Sequence, residues 1–362
     1  MTPADPPAAH AAVAPVDVLI EERRTLYRLA AELLGTPPSA VLDDDVMDSP
    51  VVRGRIGRAM ATGGRVESST LVSIGAVSRD AAVAVESVSV PVASALDAND
   101  LLHDALDWFR AELAVQSSAA PLRILTTADG NRFDAAMRLV SEGMALAMSV
   151  SPTLAADLFP HIALVGIVDP DSGGGLESAS SRAFPGIVLL RMPGSALEAT
   201  EGLVHEAAHQ KLFDLAITRD LLTHESDRCE PFEPSWPPAG RRWSMEQALA
   251  AGHAYACLAR FAADAAGLLL STAGPSSLLP VAAERASLIG DWLLDHGAFL
   301  GSDAHTLLAG LYGLRPSAPP ALSARIQSAS IEAKVIRRRT SGGRWLVATL
   351  TRPPNLYFVD SV

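Results

Sequence analysis

The sequence predicts a mostly helical α+β fold in which a small sheet packs against a metal-binding helix. Three observations carry that reading. Segments with apolar residues at helical spacing dominate the chain, among them residues 16–35, 100–115, 134–148 and 245–270. Two short runs rich in β-branched and apolar residues, 162–168 and 186–192, end in turn material (DPDSGGG and Pro193-Gly194) and read as buried strands. Directly after the second run, a helical pattern over residues 195–217 contains His205-Glu206-Ala207-Ala208-His209.

Taken in order, residues 1–15 are rich in Ala, Pro and Asp and read as a disordered tail. Residues 16–35 place Leu19, Leu26, Leu29, Ala30, Leu33 and Leu34 near helical spacing, and Gly35 with Pro37-Pro38 ends that helix. Alternation over residues 81–92 (AAVAVESVSVPV) predicts a strand, which Pro91 confines to a sheet edge because it has no N–H to donate. Helices over 100–115 and 134–148 follow, then the two strand runs and the motif helix. Residues 218–240 are polar and proline-rich, a long loop. An Ala-rich helix covers 245–270 and another covers 282–300. Residues 316–320 read as a linker before short strands around 345–350 and 356–359. The chain thus divides into a tail (1–15), an N-terminal helical and mixed region (16–120), a metal-binding catalytic domain (121–315) and a C-terminal linker with short strands (316–362).

Composition excludes several classes. With 49% hydrophobic residues and 19% charged, 362 residues supply an ample core and no basis for wholesale disorder. The 29 Lys and Arg against 41 Asp and Glu leave a net charge of −12, which disfavours binding to phosphate backbones. Two cysteines, Cys229 and Cys257, make no disulfide framework and no CxxC pair. The start has neither a basic n-region nor an apolar h-region, and no apolar run is long enough to cross a bilayer. The expectation is a soluble, cytoplasmic protein without nucleic-acid or membrane partners. The basic run Lys334, Arg337, Arg338 and Arg339 reads as a solvated face, and Gly173-Gly174-Gly175 lacks the GK[ST] of a phosphate loop.

The HExxH motif is the sharpest feature. On a helix, His205 and His209 are four residues apart, so both imidazoles reach one metal ion with Glu206 beside it. The third ligand sets the class. A metzincin extension is excluded, because Leu212 and Leu215 occupy its Gly and His positions. On the next helix, Glu246 and His253 are seven residues apart, about 10 Å along the axis, so one of them completes the set but hardly both. Either set suits iron(II) or zinc.

Three stretches together, SASSRAFPGIVLLRM (178–192), LVHEAAHQKL (203–212) and GHAYACLARF (252–261), resemble the HExxH-domain proteins of ribosomal peptide natural-product biosynthesis. The resemblance covers about residues 120–265. The chain departs from that family's pattern at Ala207 and Ala208 inside the motif. It departs again at Gly252-His253-Ala254-Tyr255, where that family has a His-Gly step before the tyrosine. The resemblance implies an iron(II)- and 2-oxoglutarate-dependent oxygenase that hydroxylates a side-chain β-carbon of a ribosomally synthesised precursor peptide. It implies His205, His209 and His253 as metal ligands, with Arg182 and Lys211 as cations for the far carboxylate of 2-oxoglutarate.

Arg241 and Arg242, in the loop before the second helix, are local alternatives for that cation. Ser178, Ser180 and Ser181 are candidates for bonding the cosubstrate or for capping a turn. The alternative reading is a zinc metallopeptidase, in which the metal lowers the pKa of bound water and Glu206 is the general base. The N-terminal region is a candidate for peptide recognition.

Overall fold

The computed structural model describes residues 5–37, 42–75, 81–85, 88–113, 122–172, 176–236, 240–265, 274–313, 335–339 and 345–349. The chain opens with α1 (Pro6–Val13), α2 (Val16–Leu33), α3 (Asp44–Asp48), α4 (Pro50–Thr62) and α5 (Ser68–Gly75). The expected tail is therefore helical from Pro6. Proline at the first helical position, where no N–H is needed, starts it, and Ala9 and His10 are buried. Strands β1 (Ala81–Val85) and β2 (Val88–Val92) precede α6 (Ala98–Leu101) and α7 (His103–Leu113).

The central part runs α8 (Asn131–Val150), α9 (Pro152–Leu158), β3 (Leu164–Val168), β4 (Ser178–Ser180), β5 (Ile187–Arg191) and α10 (Ala196–Thr218). After the long loop come α11 (Met245–Asp264), α12 (Ala282–Asp295) and α13 (Ser302–Leu311), then a hairpin of β6 (Val335–Arg339) and β7 (Trp345–Thr349). The basic run lies partly in β6. The expected strand at 356–359, the triple glycine and the end of the helix expected to reach residue 270 lie outside the described residues.

The sheet order is β1-β2-β3-β5-β4, with β3 parallel to both β2 and β5 and antiparallel pairs at either side. Pro91 was expected on an edge strand, yet β2 sits between β1 and β3. The reason is register: pairing of β2 with β3 begins at Val92, one residue after the proline, so the missing N–H falls outside that ladder.

Alternation along β3 divides the core. Val165 and Ile167 join the cluster with α8, α10 and α11, while Leu164 and Val168 face Leu102, Leu106 and Phe109 on the opposite side. A third cluster, around Ala31, Met47, Val52, Ile56 and Leu71, holds α2 to α5 together. Among the described residues, no helix is long and apolar enough to cross a membrane.

Candidate metal-binding and substrate site

The motif helix α10 starts where the sequence reading puts it. The Ser195 hydroxyl caps it by accepting from the Glu198 N–H at 3.2 Å. Nearly every residue from Leu197 to Leu215 is buried, which makes α10 the central helix of the molecule. Gln210 pins it to the sheet, accepting from the Gly186 N–H at 2.5 Å and donating to the Ile187 carbonyl at 3.0 Å. Thr200 donates to the Gly143 carbonyl of α8 at 2.8 Å. These bonds to β5, to the turn before it and to α8 fix the height and rotation of the motif.

His205 and His209 converge. Their Nε2 atoms lie 3.1 Å apart, with the rings edge to face at 4.7 Å between centroids. Both rings are buried. Phe213 stacks on His209 at 6.4 Å, and Tyr255 of α11 meets His205 edge-on at 6.2 Å. The Ser178 hydroxyl of β4 donates to Glu206 Oε1 at 2.6 Å. One turn before His205, Glu201 accepts from the Ser277 hydroxyl at 2.5 Å and from the Leu278 N–H. Burial pushes the Glu201 carboxyl pKa up, against the pull of those bonds and of His205.

The candidate third ligands occupy different settings. His253 is buried, and its Nε2 lies 2.6 Å from Nε2 of His10 on α1. His10 Nδ1 in turn is 2.5 Å from Asp157 Oδ2, and Lys211 Nζ donates to Asp157 Oδ1 at 2.5 Å. Potential ligand atoms of His10, His253 and Cys257 lie within 4.8 Å of one another. Among the described residues, the His205–His209 pair gathers no third His, Cys, Asp or Glu ligand atom at such range. Glu246 stands in the first turn of α11 and accepts from Arg182 Nη1 at 2.6 Å. Burial raises its pKa and the Arg182 guanidinium opposes that rise.

Three of the four cations expected for a carboxylate have acidic partners: Arg182 with Glu246, Lys211 with Asp157, and Arg242 with Glu233 at 3.2 Å on the surface. Burial lowers the Lys211 pKa, and Asp157 offsets part of that. Ser180 is buried on β4, its hydroxyl without a hydrogen-bond partner, and Ser181 accepts from the Ala183 N–H at 3.0 Å in a turn. His224 is on the surface beside Glu225.

Several residues of this region escaped the sequence reading. Arg285 of α12 donates to the Tyr255 hydroxyl at 2.8 Å and lies over Trp236 at 4.9 Å, walling the His205 side with cation and aromatic rings. On another face of α10, Asp214 accepts from Arg23 Nη1 at 2.5 Å and lies 2.7 Å from His161 Nδ1, its carboxyl held far below the usual range mainly by Arg23 and His161, against burial. His10 could be found only by treating the Ala-Pro start as structured. The Asp214 pairing lay in plain view four residues past Gln210, but charge on a motif helix reads as solvated until burial is known.

Compared with known proteins, the chain matches no family model and no curated protein.

Proposed function

We propose that the protein is an iron(II)- and 2-oxoglutarate-dependent oxygenase that hydroxylates a side-chain β-carbon of a ribosomally synthesised peptide. The observation that carries this reading is that the first and third of the three resembling stretches both meet the motif helix at adjacent residues. Ser178 of the first bonds Glu206 of the second, and Tyr255 of the third packs on His205. The resemblance rests on those same stretches, and their meeting at the histidine pair is what a shared site requires.

The donor set fits a divalent metal at the pair, since two imidazoles with their Nε2 atoms facing each other suit iron(II) or zinc. In this reading His253, now paired with His10, would complete the set. When bound, iron with 2-oxoglutarate supplies oxidising power from O₂ through decarboxylation to succinate. The chain's own groups do the rest. Ser178 orients Glu206, Phe213 and Tyr255 fix the imidazole planes, and the buried helix excludes bulk water.

The second reading, a zinc peptidase, is favoured by Glu206 lying next to His205. Under the oxygenase reading, adding iron(II) and 2-oxoglutarate to metal-free protein without oxygen gives a weak visible charge-transfer band that bleaches in air with succinate formed. Absence of that band, with tight stoichiometric zinc in the protein as purified, would transfer the assignment to the peptidase.

A further inference from the structure

Besides the His205–His209 pair, the fold brings together a second group of metal-binding side chains. His253 and Cys257 are four residues apart on α11, the spacing that puts two side chains on one helix face. His10 of α1 meets them from 243 positions away in sequence. Potential ligand atoms of the three lie within 4.8 Å of one another, and all three residues are fully buried. Among the described residues, no other three His, Cys, Asp or Glu side chains converge so closely. Contact between helices holds His10 in place: a Cβ on Gly310 of α13 would lie 2.5 Å from Ala9 Cβ, so α1 rests on α13 where only a glycine permits the approach.

The chemistry of the group selects the ion. Asp157 of α9 lies 2.5 Å from His10 Nδ1, which turns the Nε2 lone pair of His10 toward His253 at 2.6 Å. A carboxylate on the far nitrogen is how proteins orient a metal-binding imidazole. Two imidazoles and a thiolate suit zinc, because soft sulfur favours it over iron(II). The same surroundings keep the ion exchangeable. Burial pushes the Cys257 thiol pKa far up, and an ion must displace that proton to bind. The Lys211 ammonium, bonded to Asp157 at 2.5 Å, repels an incoming cation as well. Zinc is therefore held reversibly, and dialysis removes it.

We propose that His10, His253 and Cys257 bind zinc reversibly and in doing so withhold His253 from the His205–His209 pair. The site stands on its own residues, while its effect on the pair rests on the oxygenase reading above, in which His253 completes the iron set. Zinc and iron(II) exclude each other through one shared imidazole, and added zinc inhibits without entering the pair. On binding, the thiol releases its proton to solvent and the ring proton of His253 moves to Nδ1, so one proton leaves per zinc ion.

The test has two arms, both on the full chain, reduced and without oxygen. Cobalt(II), a spectroscopic stand-in for zinc, is titrated into metal-free His205→Ala, whose pair is disabled; His209→Ala serves if that variant does not fold. A near-ultraviolet thiolate-to-cobalt band should appear and saturate at one equivalent. Adding Cys257→Ser should abolish the band, adding His10→Gln should weaken cobalt binding by about tenfold or more, and adding Cys229→Ser should change neither. If the Cys257 variant does not fold, the contrast between His10→Gln and Cys229→Ser decides. Absence of the band, or its loss with Cys229→Ser instead, overturns the site. In the second arm, iron(II) affinity is measured with and without added zinc. Zinc should weaken iron(II) in wild type by about tenfold or more, and Cys257→Ser should remove that effect. Zinc that displaces iron equally from Cys257→Ser acts at the pair itself and overturns the shared-ligand control, as does zinc without effect in wild type. If wild type binds no iron(II), the oxygenase reading fails and the control with it, while the cobalt arm alone decides the site.

Discussion

His253 on α11 donates a hydrogen bond to His10 on α1 across 2.6 Å between their Nε2 atoms. The direction follows from the next link. Asp157 takes the Nδ1 proton of His10, so a neutral His10 offers only a lone pair at Nε2, and His253 must supply the hydrogen. Burial keeps His10 neutral, its pKa pushed down to about 4 against the pull of Asp157.

That chain predicts a pH dependence of stability. An exposed histidine in the unfolded chain takes its proton near pH 6.5, whereas folded His10 resists until about pH 4. Its contribution is therefore complete above pH 6.5 and drains away as the pH falls toward 4. His253 and His161, both also lowered by burial, act in the same direction. Replacing His10 by Gln should lower the melting temperature most at pH 7.5, and the gap from wild type should narrow by pH 5. A gap that widens on acidification would mean that His10 is charged in the folded protein.

Metal binding separates the candidate ligands. His205→Ala or His209→Ala should abolish stoichiometric metal after dialysis, read by elemental analysis. His253→Ala should weaken metal binding, and Glu246→Ala should leave it intact, since Glu246 is engaged with Arg182. The reverse pattern would make Glu246 the third ligand. His10→Ala is the informative companion: it removes the acceptor of the His253 Nε2 proton, so metal affinity should rise or hold while the fold loses about 1–3 kcal/mol for the orphaned donor.

Much of this was legible in the sequence, and the limits have physical causes. The motif helix, expected over 195–217, runs from Ala196 to Thr218 because Ser195 is a true cap and the apolar pattern is continuous. The strands at 162–168 and 186–192 appear as β3 and β5, since β-branched runs closed by glycine and proline leave little alternative. The start of the chain was misread because Ala and Pro carry no amphipathic signal. Burial against α13 and the links from His10 to Asp157 and His253 give α1 its place. Arg182 and Glu246 were each singled out for separate tasks, but pairing across 64 positions in sequence is a tertiary fact that no local pattern encodes.

That ion pair bridges the end of the β4 strand segment and the start of α11 at 2.6 Å, with Arg182 a quarter exposed and Glu246 17% exposed. Removing one partner leaves the other largely desolvated. Glu246→Gln and Arg182→Gln should each cost about 1–3 kcal/mol, and the double variant should cost less than their sum. Urea denaturation of the four proteins measures the coupling. Simple additivity would show that the pair contributes nothing to holding α11 against the sheet.

Gly186 offers the sharpest steric forecast. Its φ of +96° lies where side chains are strained, and a Cβ there would sit 2.2 Å from Arg53 Nη2 and 2.9 Å from Ala163 Cβ. The same residue donates its N–H to Gln210, so its backbone cannot relax without loosening α10. Gly186→Ala should therefore destabilise by at least about 1–3 kcal/mol from strain, with more from displacing Arg53. The denaturation slope should stay unchanged, because the exposed area on unfolding is the same. If the alanine variant is as stable as wild type, Arg53 does not occupy the space beside Gly186. Its approach to the β4–β5 turn would then have to be abandoned.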